Sequence, residues 1–154
     1  MFDVVMFLLE NYMEHGVPLV SEKEWIVAEL ERIGFHKIEI DRALDWLVGL
    51  EQIQKTAKSV DMTHVTFRHY LPYEKEQIGF KGMGFLAYLE QVGVLDPVTR
   101  EVVIDRLMAL DQHEVDVARI QWVTLVALYN RPKQKAALML LQDLILSDAF
   151  HQVH

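Results

Sequence analysis

Apolar residues recur at three- and four-residue spacing in one stretch of this chain after another, and that period commits most of it to amphipathic helices. Phe2, Val5, Leu9, Tyr12 and Met13 form the first stripe, over Phe2 to Glu14, and Gly16 and Pro18 end it. The second helix has the clearest start. Ser21 is placed as N-cap with Glu24 three residues on, the reciprocal arrangement in which two side chains each take a backbone N–H, and Val20 and Trp25 flank it as a hydrophobic staple. Ile26, Leu30 and Ile33 continue the face. Gly34 then supplies the left-handed residue that closes a helix, and Phe35 falls where a Schellman cap turns an apolar side chain back onto Leu30. A third helix, about Ile38 to Leu50, turns Ile40, Ala43, Leu44 and Leu47 inward, with Trp46 beside them.

After Gly49 the pattern changes. Gln54–Asp61 is polar and contains Lys55 and Lys58. His64–Tyr70 alternates, with Val65, Phe67 and His69 on one side and Thr66, Arg68 and Tyr70 on the other. Alternation predicts a strand, with Glu51–Gln54 as its partner. Three helices and a hairpin is a winged-helix-like order.

Pro72 opens another helical stretch, to about Val92, with Ile78, Phe85, Leu89 and Val92 in period. Gly79, Gly82 and Gly84 lie inside it, each costing about 1 kcal/mol against Ala, so a kink, a break or a close helix contact is expected there. Gly93 ends it. Asp96 and Pro97 form the N-cap and first position of the next helix, whose Val103, Leu107 and Leu110 face inward. A sixth helix follows Asp116. Its run Trp122–Tyr129 is apolar almost all round, which makes it the most buried of the set. Asn130-Arg131-Pro132 is a stop. The last helix is expected over about Lys133 to Leu146, with a fraying tail from Ser147. The fold class that follows is mainly α: a three-helix, winged-helix-like part with a small β-hairpin (1–71), packed on a four-helix C-terminal bundle (72–150) as one cooperative unit.

With 154 residues, 51% of them hydrophobic and 25% charged, the chain has the material for a buried core. It has no Cys, which excludes disulfides, thiolate zinc sites and a cysteine nucleophile. The longest apolar run is too short for a membrane span, and the N-terminal segment has no basic lead-in, so it reads as a helix rather than a signal peptide. The expected location is the cytoplasm, with no membrane partner.

Net charge is −8 and unevenly spread. Residues 1–51 hold 4 basic and 11 acidic side chains, 52–81 hold 5 and 3, and 82–154 hold 6 and 9. Only the middle segment is locally basic. An acidic protein repels nucleic acid at long range, which disfavours such a partner without removing it. The third helix, which would read bases in a winged helix, carries Glu39, Asp41 and Asp45 against Lys37 and Arg42. Those carboxylates suit a protein partner better than a phosphate backbone.

Few residues arrange themselves for chemistry. Gly79-x-x-Gly82-x-Gly84 lacks the Lys-Ser/Thr of a phosphate loop, and no strand feeds it. His64 and His69, five apart on a strand, point to opposite faces with no carboxylate beside them, so no metal site is expected. Ser21, Ser59 and Ser147 lack a nucleophile-elbow context. Glu101 and Asp105, at helical spacing, read as a solvated face. The hairpin holds the best candidates for partner binding: Lys55, Lys58, Arg68 and His69, with Phe67 and Tyr70 among them.

Several stretches together resemble the Smg family, small bacterial proteins of unknown function. They are Met1-Phe2-Asp3-Val4, Gly34-Phe35, Ala43-Leu44-x-Trp46-Leu47, Gly84-Phe85-Leu86-x-x-Leu89-Glu90-Gln91-x-Gly93-Val94-Leu95, Arg100-Glu101-x-Val103-Ile104-Asp105-Arg106-x-Met108-Ala109-Leu110 and Trp122-Val123-x-Leu125-Val126-x-Leu128. The resemblance covers nearly the whole chain. Leu71-Pro72 stands where the family pattern caps a helix with Thr, and Gly79 and Gly82 look like additions of this sequence. The resemblance implies no catalytic residue, metal or cofactor. Smg genes often lie beside that of the DNA-processing protein Smf, which implies a DNA-related process by association. The expected function is therefore that of a non-enzymatic protein–protein interaction or adapter protein with an unnamed protein partner. The alternative is a nucleic-acid-binding winged helix that uses the 52–70 hairpin.

Overall fold

The computed structural model describes residues 1–13, 23–57, 68–110, 115–129 and 135–153, with only the backbone described at Ala57 and 148–153. All regular structure among these residues is helical: α1 (Phe2–Leu8), running into a π-helical turn (Leu9–Met13), α2 (Lys23–Ile33), α3 (Lys37–Ala57), α4 (Pro72–Gln91), α5 (Pro97–Met108), α6 (Val117–Tyr129) and α7 (Lys135–Val153). The chain divides into two compact units, Met1–Gln52 and Ile53–His154, so α3 begins in one and ends in the other. No helix among the described residues is long and apolar enough to cross a membrane.

In the first unit the buried side chains follow the helical period: Val4, Val5, Leu8, Leu9 and Tyr12, then Ile26 and Leu30, then Ile40, Ala43, Leu44, Trp46, Leu47 and Leu50. Aromatic edges join the pieces. Phe7 meets Phe35 with ring centroids 5.7 Å apart, and Tyr12 meets Trp25 at 5.8 Å. The end of α2 is the one the sequence predicts. Gly34 takes φ 121°, and the Phe35 N–H donates to the Leu30 carbonyl at 3.1 Å, the long-range bond of a Schellman cap. The proposed cap of Ser21 on Glu24 and the Val20 staple position lie outside the described residues.

The β-hairpin is not formed. Glu51–Gln54, the expected first strand, is the last part of α3, and no strand exists among the described residues. The polar onset at Gln54 was the misleading signal. Leu47, Leu50 and Gln54 are spaced as one helix face and all three are buried. The Gln54 side-chain amide donates to the Ala127 carbonyl at 2.9 Å, so a polar residue continues an apolar face by finishing the last turn of another helix. Residues 64–67 lie outside the described residues, and 68–71 carry no regular structure. The wing of a winged helix, and with it that description of the N-terminal part, therefore falls.

In the second unit the punctuation predicted from sequence is found. Asp96 Oδ1 accepts the Thr99 N–H at 2.6 Å above Pro97, and Asp116 Oδ1 accepts the Arg119 N–H at 2.8 Å. At the end of α4, Gly93 takes φ 88° and the Val94 N–H reaches the Leu89 carbonyl at 2.9 Å. Six consecutive residues of α6, Val123 to Leu128, are buried. The last helix outruns its expected end at Leu146 and continues to Val153; no Gly or Pro stands in 147–153 to stop it.

The glycine cluster resolves into separate roles. Gly79 (φ 76°, ψ 169°) breaks α4. Gln77, two residues before the break, makes two bonds there: its carbonyl accepts the Val115 N–H at 3.0 Å, and its side chain donates to the Leu107 carbonyl at 3.2 Å. At Gly82 a Cβ would stand 2.8 Å from Ile78 Cγ2 and 3.0 Å from Ile120 Cδ1, so this glycine lets α4 approach α6. At Gly84 a Cβ would meet nothing within 4 Å.

Candidate functional site

Among the described residues of the second unit, the densest gathering of ionisable groups lies where 68–71, both ends of α4, and α5 come together. Pro72 fixes the first turn of α4, and Leu71 before it has no side-chain acceptor to offer as a cap. Glu74 supplies the half of a capping box that remains: its Oε2 accepts the Leu71 N–H at 2.9 Å. The same carboxylate takes Arg68 in a two-pronged pair, Nη1 to Oε2 at 2.8 Å and Nη2 to Oε1 at 2.9 Å. Arg68 Nε donates to Glu101 Oε1 at 2.6 Å.

Glu101 is shared with a second guanidinium. Arg100, buried on α5, donates to Glu101 Oε1 from Nη2 at 3.1 Å and to Glu90 from Nη1 at 3.0 and 3.2 Å. The result is a chain of alternating sign, Glu74, Arg68, Glu101, Arg100, Glu90, with the Tyr70 ring 4.7 Å beneath the Arg68 guanidinium. The charge-assisted bond from Arg68 holds the Glu74 carboxyl below the usual carboxylate range despite its burial, helped by the Leu71 N–H. Glu74 in turn raises Arg68 further above its ordinary value. Burial pushes the Tyr70 hydroxyl up.

The charged groups of this arrangement are spent on one another. A general acid at neutral pH needs a carboxyl raised toward 7, and Glu74 is displaced the other way. An anion-binding arginine needs donors turned outward, whereas Arg68 and Arg100 each spend theirs on neighbouring carboxylates. Among the described residues no group of three or more His, Asp or Glu could hold a metal ion.

The residues singled out for partner binding differ in their surroundings. Lys55 is exposed on the last turn of α3, and His69 is exposed just before α4. Arg68 is engaged inward as described. Lys58 and Phe67 lie outside the described residues. Glu101 and Asp105, read as one solvated face, part company: Glu101 joins the ion-pair chain and Asp105 pairs with Arg106 at 2.6 Å. Glu74, Glu90 and Arg100 were not anticipated. The signal for Glu74 was its position three residues after the N-cap Leu71, and Glu90, Arg100 and Glu101 all stand inside the stretches that carry the family resemblance.

The same span of sequence has many relatives. Residues 1–154 match the family described as Protein of unknown function (DUF494). The curated relatives include the Protein Smg homolog of Nitrosococcus oceani, 40% identical over 99% of this chain and 96% of the relative. Those of Shewanella piezotolerans and Shewanella halifaxensis are each 38% identical over 100% of this chain and 99% of the relative. No solved structure matches.

Proposed function

Since the chain belongs to the Smg (DUF494) family of proteins of unknown function, we propose that it is a non-enzymatic adapter, working in the cytoplasm through contacts with another protein. The observation that carries this is the division of labour among its side chains. The convergent charged groups neutralise one another within the fold, while large apolar groups are left outside, among them Trp25, Ile38, Tyr73 and Leu146. Function then falls to surfaces. The association of Smg genes with that of a DNA-processing protein points the search toward a partner in a DNA-related process.

Lys55, Lys58 and His69 belong to the proposed partner surface, with the two lysines as its cationic part, and Arg68 supports it from within. The nucleic-acid alternative relied on a hairpin whose first strand is helix, and it is not carried further. The test is affinity capture from the native cell with the double variant Lys55→Glu/Lys58→Glu beside the unchanged chain. Recovery of a specific protein that drops several-fold with the variant supports the proposal. Equal recovery with both chains removes the lysines from the interface.

A further inference from the structure

We propose that α4 is a hinge with two settings, bent at Gly79 or continuous through it, and that the ion-pair chain clasps it in the bent one. Gly79, at φ 76° and ψ 169°, divides the helix into a two-turn half, 72–78, and a longer half, 80–91. Those angles are open to glycine, and glycine takes the helical angles of its neighbours as well, since no Cβ stands in the way. No atom lies within 4 Å of the place a Cβ would take at Gly79, so packing does not lock the residue. Hinges absorb their change at one or a few such positions.

The two halves are held by different forces. The longer half buries Gly82, Leu86 and Leu89. The short half buries only Glu74 and Ile78, while Tyr73, Lys75 and Glu76 are exposed. Polar bonds hold it down. Arg68 takes Glu74 and Glu101 together, the Gln77 side chain reaches the Leu107 carbonyl, and the Gln77 carbonyl accepts the Val115 N–H. The clasp spans the break. Glu74 lies in the short half and Glu90 in the longer one, and α5 ties both through the neighbouring residues Glu101 and Arg100. Such bonds are exchanged for bonds to water at a small net cost, whereas buried apolar surface is not. The short half can therefore swing off α5 while the core of the unit stays shut. Straightening parts Arg68 and Glu74 from Glu101, and the Gln77 carbonyl from Val115. A ligand that takes the freed Arg68 or Glu101 would draw the population toward the straight form.

Distances along α4 in the full chain test this, whether or not the chain is an adapter. The chain has no Cys of its own, so Tyr73→Cys and Gln91→Cys, one in each half and both at exposed positions, carry two spin labels and no others. A continuous helix sets these positions about 27 Å apart between Cα atoms. The bent helix sets them at a different distance. Pulsed electron paramagnetic resonance should show the bent form as the main one. Glu101→Gln, which loosens the clasp without touching the short half, should raise the straight form about fivefold or more. Gly79→Ala, whose Cβ disfavours the bent angles, should make the straight form the main one. Amide exchange checks the same change without labels. In Glu101→Gln the Val115 N–H should exchange about fivefold faster, while the Lys75 N–H, bonded to the Leu71 carbonyl, should keep its rate because the short half swings whole. Circular dichroism checks that each variant is folded. One unchanging distance in all three chains overturns the inference. A broad distribution in place of two distances also overturns it, since the short half then melts rather than swings. So does Val115 exchange that Glu101→Gln leaves unaltered.

Discussion

Three glycines inside one helix illustrate how little a residue's identity says until its surroundings are known. Gly79 occupies a backbone region open almost solely to glycine, so Gly79→Ala should destabilise by about 1–3 kcal/mol. Gly84 has ordinary helical geometry and open space, so Gly84→Ala should stabilise the folded monomer by about 1 kcal/mol or less. Urea unfolding of the two variants measures both, and the opposite signs are the point: shifts in the same direction would mean that one glycine has been misassigned. Sequence marked all three as helix-breaking or helix-packing residues. It could not sort them, because the distinction lies in a dihedral angle and in the distance to Ile120, a residue far along the chain.

Between helices, the chain of ion pairs joins 68–71, α4 and α5. Arg68 is 18% exposed and Glu74 7%, so screening by solvent is limited. The linkage to pH has a definite sign. A carboxyl held below its unfolded value, near 4.5, contributes stability that is complete above that value and is lost as pH falls through and below it. Glu74→Gln should therefore cost about 1.5–3 kcal/mol at neutral pH. The unchanged chain and the variant should converge in stability as pH falls through and below the usual carboxylate range. Denaturant titrations at a series of pH values provide the comparison, and a gap that stays constant into acid would exclude Glu74 as its source. Of these residues, sequence singled out Arg68 as a partner-binding candidate and Glu101 as part of a solvated face, and so pointed both outward. Alternation over His64–Tyr70 suggested a strand edge, but the partners of the Arg68 side chain are a helix start six residues on and a carboxylate on α5.

Across the molecule, α3 is the element shared by both units, and its second half is held by an interaction of high sequence separation. Gln54→Leu keeps the apolar volume but leaves the Ala127 carbonyl without that donor, at a cost of about 1–3 kcal/mol. Amide exchange should quicken over 53–57 and at the end of α6; unchanged protection at both places would show that the bond does not hold the helix. This same bond explains the misplaced hairpin. A polar residue reads as the end of an amphipathic helix unless something distant satisfies it, and Ala127 is 73 residues away.

Helix number, most of the helix ends and the buried faces were legible along the chain, because caps, glycine stops and apolar periods act over a few neighbouring residues. Asp96, Gly34 and Gly93 work that way. Family membership was equally legible, since it rests on the order of residues alone. Where α3 stops, which carboxylates hold Arg68 and which glycine is tight against a neighbour were settled only when segments remote in sequence met, because a hydrogen bond or a close contact needs both of its partners in place.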